Sequence, residues 1–234
     1  NEAQWIQFQL DTSATIEEMV AQAQRVMIKP VVQKAHYFAC DAGGECAVFE
    51  YLKGKLRISR GDDLPYPALT NHPYAVARRR YRSLVVGTYG PQSSLRRFAV
   101  ASHHSGKPVK DNRAVTRAFS ILDKVHMGNY TRWQIVYDLT HQRVWFRTNG
   151  RNKKHIKYIA LADVAGDCQK PAQRFDLQRA ISGDIRSKLE TYRTKDNRRY
   201  LRSLFRQLPK RLPPQVVDRV ARFPETFTCQ AKTL

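Results

Sequence analysis

Two adjacent histidines, His103-His104, and two adjacent aspartates, Asp62-Asp63, are titratable pairs of types that could do chemistry in the 234-residue chain. Neighbouring histidines rarely converge on one metal ion, and Asp62-Asp63 reads as a solvated loop pair. Cys40, Cys46, Cys168 and Cys229 contain no Cys-x-x-Cys spacing, so no zinc site is expected. A nucleophilic Cys needs a nearby cation, base or helix N-terminus. Cys40 and Cys46 fall in strand-like runs without one, so they read as structural. They flank a tight turn and either pair across it or stay as buried thiols. Cys168 and Cys229 have the same two options, pairing to tie the C-terminal residues to the body. Disulfides at these positions imply an oxidising compartment, periplasmic or secreted. There is no Gly-x-Ser-x-Gly, no phosphate-cradling Gly loop and no His-Glu-x-x-His. No metal or cofactor is expected.

The elements that would position a site follow from periodicity. Gln4 to Leu10 alternates polar and apolar residues and predicts a strand. Thr15-Ile16-Glu17-Glu18 is a capping-box pattern opening a helix to about Val26. His36–Cys40, Cys46–Tyr51 and Lys55–Ser59, with turns at Gly43-Gly44 and Lys53-Gly54, predict a three-stranded antiparallel meander. A basic helix is expected over Ala75–Ser83, then a loop over Gly87–Gln92. Ser93 is placed to cap a helix holding Arg97 and Phe98. Asn112–Val125 reads as amphipathic, with Val115, Ala118, Phe119 and Leu122 on one face. Strands are expected at Trp133–Leu139, Val144–Thr148 and Ile156–Leu161. A long basic helix is expected over Ile185–Leu208, with a last short one from Pro213-Pro214. Antiparallel strand runs and grouped helices give an α+β layered class.

Hydrophobic residues make up 42% of the chain and no run reaches 18 apolar residues, which suits a globular core rather than a membrane span. The net charge of +21 attracts anions generally. The charge thickens over Arg193–Arg211, where Tyr200 and Phe205 are interleaved.

Three groups of segments, in order, carry a resemblance. The first is Gln4-Trp5-Ile6-Gln7-Phe8-Gln9-Leu10-Asp11 with the Thr15 helix. The second is His36-Tyr37-Phe38-Ala39-Cys40-Asp41, Cys46 to Lys55, and Leu69-Thr70-Asn71-His72-Pro73-Tyr74. The third is Ser93-Ser94-Leu95-Arg96-Arg97-Phe98 and then Thr131-Arg132-Trp133. Together they resemble the choloylglycine hydrolase / penicillin V acylase family of linear amide C–N hydrolases, from Asn1 to about Asp184. The resemblance implies an N-terminal-nucleophile αββα sandwich of antiparallel sheets, incomplete at its N-terminus. Residues 1–184 would be the hydrolase core and 185–234 a basic helical extension on the same domain.

By the same resemblance an N-terminal Cys attacks the amide carbonyl, its α-amine acting as base. Asn71 matches the family's oxyanion-donating Asn, and Arg97 matches the Arg that favours the thiolate, with Arg96 the rival if the register slips. An Asn after a strand is otherwise a turn residue, and an Arg on a helix is otherwise a solvated or ion-paired one. Tyr66 and Tyr74 are candidate substrate-binding residues. The Cys and the Arg and Asp that follow it are not in this sequence, and Asn1 cannot replace a thiol. The expected substrate is a small N-acyl amide of the conjugated bile salt, penicillin V or acyl-homoserine lactone type. The isolated chain is expected to be inactive, and homo-oligomers are common in the family. The rival readings are a basic module gripping an anionic membrane or, less favoured, nucleic acid, and an inactive fragment of the family.

Overall fold

The computed structural model describes residues 2–26, 28, 35–84, 93–164, 169–206 and 213–226. The chain divides into two compact units, Asn1–Trp145 and Phe146–Leu234. The boundary expected at residue 184 falls inside the second of them.

The first unit is built around the meander. Strands β1 (His36–Cys40), β2 (Cys46–Leu52) and β3 (Lys55–Arg60) pair antiparallel in the order β1-β2-β3. Lys53 and Gly54 both take left-handed φ, 51° and 77°, the geometry of a two-residue hairpin turn that matches strand twist. Cys40 and Cys46 are register partners and form a disulfide. Cys168, Cys229 and the expected loop at 87–92 lie outside the described residues.

Because side chains alternate along a strand, β2 feeds two cores. Ala47 and Phe49 pack with Trp5, Ile16, Val20 and Ala23. Val48 packs with Ala68, Tyr74, Ala77, Leu95, Phe98 and Ala99. The sheet therefore has helices on both faces: α1 (Glu2–Thr12) and α2 (Ile16–Arg25) on one, α3 (Tyr74–Leu84) and α4 (Ser94–Ser105) on the other. The capping box of α2 forms as predicted, Thr15 accepting from Glu18 N while the Glu18 carboxylate accepts from Thr15 N. Helix α5 (Asp111–Val125) buries Phe119 and packs on α4 and on β4 (Trp133–Asp138).

The expected strand over 4–10 is helix α1 instead. Trp5 and Gln9, one turn apart, are both 2% exposed, whereas Ile6 and Leu10 face solvent at 46% and 73%. A buried Gln and two exposed aliphatics invert the polarity that a helical period would need, so alternation was the pattern visible in the residues.

In the second unit the remainder of β5 (Arg143–Thr148), then β6 (Lys157–Ala160) and β8 (Gly183–Asp184), are successive neighbours, and β6 runs parallel to β8. The short helix α6 (Leu161–Val164) takes over from β6 at Leu161. Strands β7 (Gln173–Arg174) and β9 (Glu190–Thr191) pair antiparallel.

The long helix expected from Ile185 is absent over its first part; α7 spans Thr194–Phe205. Ile185 is buried with its N–H on Tyr158 O at 3.1 Å, and Glu190 is held by β7 and by the Arg174 guanidinium at 3.3 Å. Tertiary pairing overrides helix propensity there. Helix α8 (Pro214–Arg222) starts at Pro214 as predicted and meets α7 through Asn197, which donates to Ala221 O at 3.0 Å. The α+β class with antiparallel strand runs holds, apart from the parallel β6–β8 pair.

Candidate active site

The site begins with a carboxylate in the wrong kind of sequence. Glu50 sits inside the apolar run Cys46–Leu52, and it is 3% exposed. A buried carboxylate must be hydrogen-bonded. Its two oxygens accept from Tyr74 N at 3.0 and 3.1 Å, and Oε1 lies 2.7 Å from His36 Nδ1 on the partner strand. Glu50 thereby clamps the first residue of α3 onto the sheet. The loop before α3 is fixed from its other end as well: the Tyr74 hydroxyl donates to Tyr66 O at 3.1 Å.

A second clamp joins this loop to α4. Thr70 Oγ1 donates to Ser94 O at 3.0 Å, Ser94 Oγ donates to Thr70 Oγ1 at 3.0 Å, and His72 N donates to Ser94 Oγ at 3.1 Å. Ser93 stands at the N-cap, but its side chain makes no cap hydrogen bond; its neighbour Ser94 holds the loop instead.

These clamps bring the two sequence-predicted groups together. Arg97, on the first turn of α4 and 8% exposed, donates from Nη2 to Asn71 Oδ1 at 2.8 Å. Arg96, the register rival, is exposed. A guanidinium only donates, so the amide must turn its oxygen toward Arg97. The Asn71 NH₂ then faces away from Arg97 and meets no acceptor among the described residues. The result is a neutral amide held by its oxygen against a buried cation. Burial draws the Arg97 pKa down, yet a guanidinium stays charged across the working pH range.

Tyr66 and Tyr74 are placed differently. Tyr66 is half-buried against Tyr81, ring centroids 4.2 Å apart, and borders a cleft. Tyr74 borders the same cleft but is 1% exposed, and burial pushes its hydroxyl pKa up. Its phenol is committed to Tyr66, so it supports the loop more than it presents a surface.

No protein-family model matches the sequence, and no curated protein matches it either. Solved structures do. Penicillin V acylase from Agrobacterium tumefaciens is 21% identical with a TM-score of 0.66, covering 81% of this chain and 66% of that one. A variant of conjugated bile acid hydrolase from Clostridium perfringens is 17% identical with a TM-score of 0.54, covering 73% and 64%. This chain has the fold those two proteins share. It spans just under two thirds of the length of each.

The other chemical candidates do not assemble. Asp62 is exposed, and Asp63 pairs with Arg78 at 3.3 Å. His103 and His104 meet ring edge to face, 5.1 Å between centroids, and no group of three or more His, Cys, Asp or Glu among the described residues is placed to hold a metal. Sequence reasoning missed Glu50 and Ser94. A charge at a position patterned for burial was the available signal for Glu50.

Proposed function

We propose that residues 1–184 form the core of an amide hydrolase, part of a longer protein whose N-terminal Cys nucleophile lies outside this chain. The substrate is a small N-acyl amide of the conjugated bile salt, penicillin V or acyl-homoserine lactone type. The Cys thiol, deprotonated by its own α-amine, adds to the amide carbonyl. The tetrahedral oxyanion accepts a hydrogen bond from the Asn71 NH₂, whose direction Arg97 sets. The C–N bond breaks, the amine leaves with a proton, and water hydrolyses the thioester. Arg97, as a buried cation, also favours thiolate over thiol.

The Arg97–Asn71 hydrogen bond carries this reading, because it ties the amide oxygen to Arg97 and leaves the NH₂ as the group that can donate to an oxyanion. The shared fold supports it, and the Cys40–Cys46 disulfide suits a periplasmic or secreted protein.

The test is the longer protein. Its mature N-terminus should be Cys, and alkylating that thiol should abolish hydrolysis of at least one of the three amides. A non-nucleophilic residue there, with no turnover, refutes the proposal and favours an inactive relative; turnover indifferent to alkylation refutes the Cys mechanism.

A further inference from the structure

The sheet surface beside α3 opens into a cleft of about 980 Å³ whose walls include Glu50, Arg57, Ser59, Tyr66, Arg78 and Arg79. That is the size range of small-molecule sites, roughly 300–1,000 Å³. Three arginines from two elements line it: Arg57 from β3, and Arg78 and Arg79 from α3.

Their states differ. Arg78 is occupied, donating to Asp63 O at 2.9 Å and lying 3.3 Å from its carboxylate. Among the described residues Glu50 is the only acid in the walls besides Asp63, and it is already committed to Tyr74 N and His36. Arg57 and Arg79 have no ion-pair partner among the described residues. Two such cationic residues lining one concavity make its potential positive. Arginine also matches a carboxylate bidentately.

The cleft lies next to the candidate site. Tyr74 is one of its walls and follows Asn71 by three residues. At 3.8 Å per residue their Cα atoms are at most about 11 Å apart, within the span of a small amide.

We propose that this cleft takes the carboxylate end of the substrate, with Arg57 and Arg79 as its charge partners, so that the enzyme selects anionic over neutral amides. This rests on the amide hydrolase reading. The probes are hippurate, an N-acyl glycine with a free carboxylate, and its neutral amide hippuramide, titrated into the 234-residue chain by NMR or calorimetry. Hippurate should bind about tenfold tighter or more, since a charge-assisted hydrogen bond is worth that ratio. Combining Arg57→Gln with Arg79→Gln should erase the preference and leave hippuramide binding unchanged. Both side chains are exposed, so the variant should keep its circular dichroism spectrum and melting temperature.

Equal affinity for the two probes, or an unaltered preference in the double variant, overturns the proposal. Displacement of hippurate by an equal concentration of inorganic phosphate also overturns it, because the cleft would then be a general anion site. Binding that survives in a longer protein lacking all turnover would refute the hydrolase reading alone; turnover blind to substrate charge would refute the cleft alone.

Discussion

Strand β2 shows two kinds of construction on its two faces. Toward α1 and α2 it presents Ala47 and Phe49 to an aromatic cluster centred on Trp5, with Tyr37, Phe49 and Tyr51 at 4.4, 5.8 and 6.3 Å. Toward α3 and α4 it presents Val48 and then Glu50, a carboxylate tied to the backbone of α3. The first face is held by apolar area, which is non-directional. The second is held by hydrogen bonds, which fix angles. For the proposed role of the Asn71 amide, directed contacts on the second face matter more than added apolar area.

The comparison predicts different failures on the two sides. Phe49→Ala opens a cavity at a fully buried site and should cost about 3–5 kcal/mol of stability by denaturant titration. It should leave turnover per folded molecule unchanged; a loss of specific turnover as large as the loss of stability would erase the distinction between the faces. Glu50→Ala should cost less, about 1–3 kcal/mol, because it orphans the buried Tyr74 N–H. Unlike Phe49→Ala, it should also lower turnover in the folded fraction, because the loop carrying Asn71 loses its anchor. Thr15→Ala, at the α2 cap on the apolar side, should cost about 1 kcal/mol and touch turnover not at all.

The smallest effect concerns His104 on α4. Burial and then the charges of Lys124, Arg117, His103 and Lys107 hold its pKa below 6.5. The unfolded chain therefore takes up this proton first as pH falls. The stability owed to neutral His104 is full above pH 6.5, declines as pH drops through that value, and levels once the folded form also protonates. Melting temperatures of the chain and of His104→Gln should diverge in slope below pH 6.5; parallel curves would contradict this.

Legibility in the sequence followed the same physics. The meander was readable because strand runs, turn residues and a Cys pair all agreed locally. Asn71 and Arg97 were singled out only through an ordered set of motifs, since neither residue alone departs from a turn Asn or a helix Arg; the structure adds that the two side chains meet. Helix α1 was hidden by a buried Gln9 and an exposed Leu10. The Ile185–Tyr192 stretch was hidden because β8 and β9 owe their form to partners distant in sequence, β6 and β7. Glu50 was passed over because an acid in a strand is ordinarily solvated, and only the fold brings Tyr74 N to it.

The central claim is that Arg97 turns the Asn71 amide so that its NH₂ meets an oxyanion. Its most direct test is steady-state hydrolysis of penicillin V, or another accepted amide, by the longer protein with Asn71→Ala. Asn71 is exposed, but the variant takes an acceptor from buried Arg97 and should lose about 1–3 kcal/mol of stability, so kcat is compared per folded molecule. The account predicts kcat lower by about 10²–10³, the effect of deleting one oxyanion donor, with KM little changed. A kcat within about threefold of the parent, in a folded variant, would contradict it.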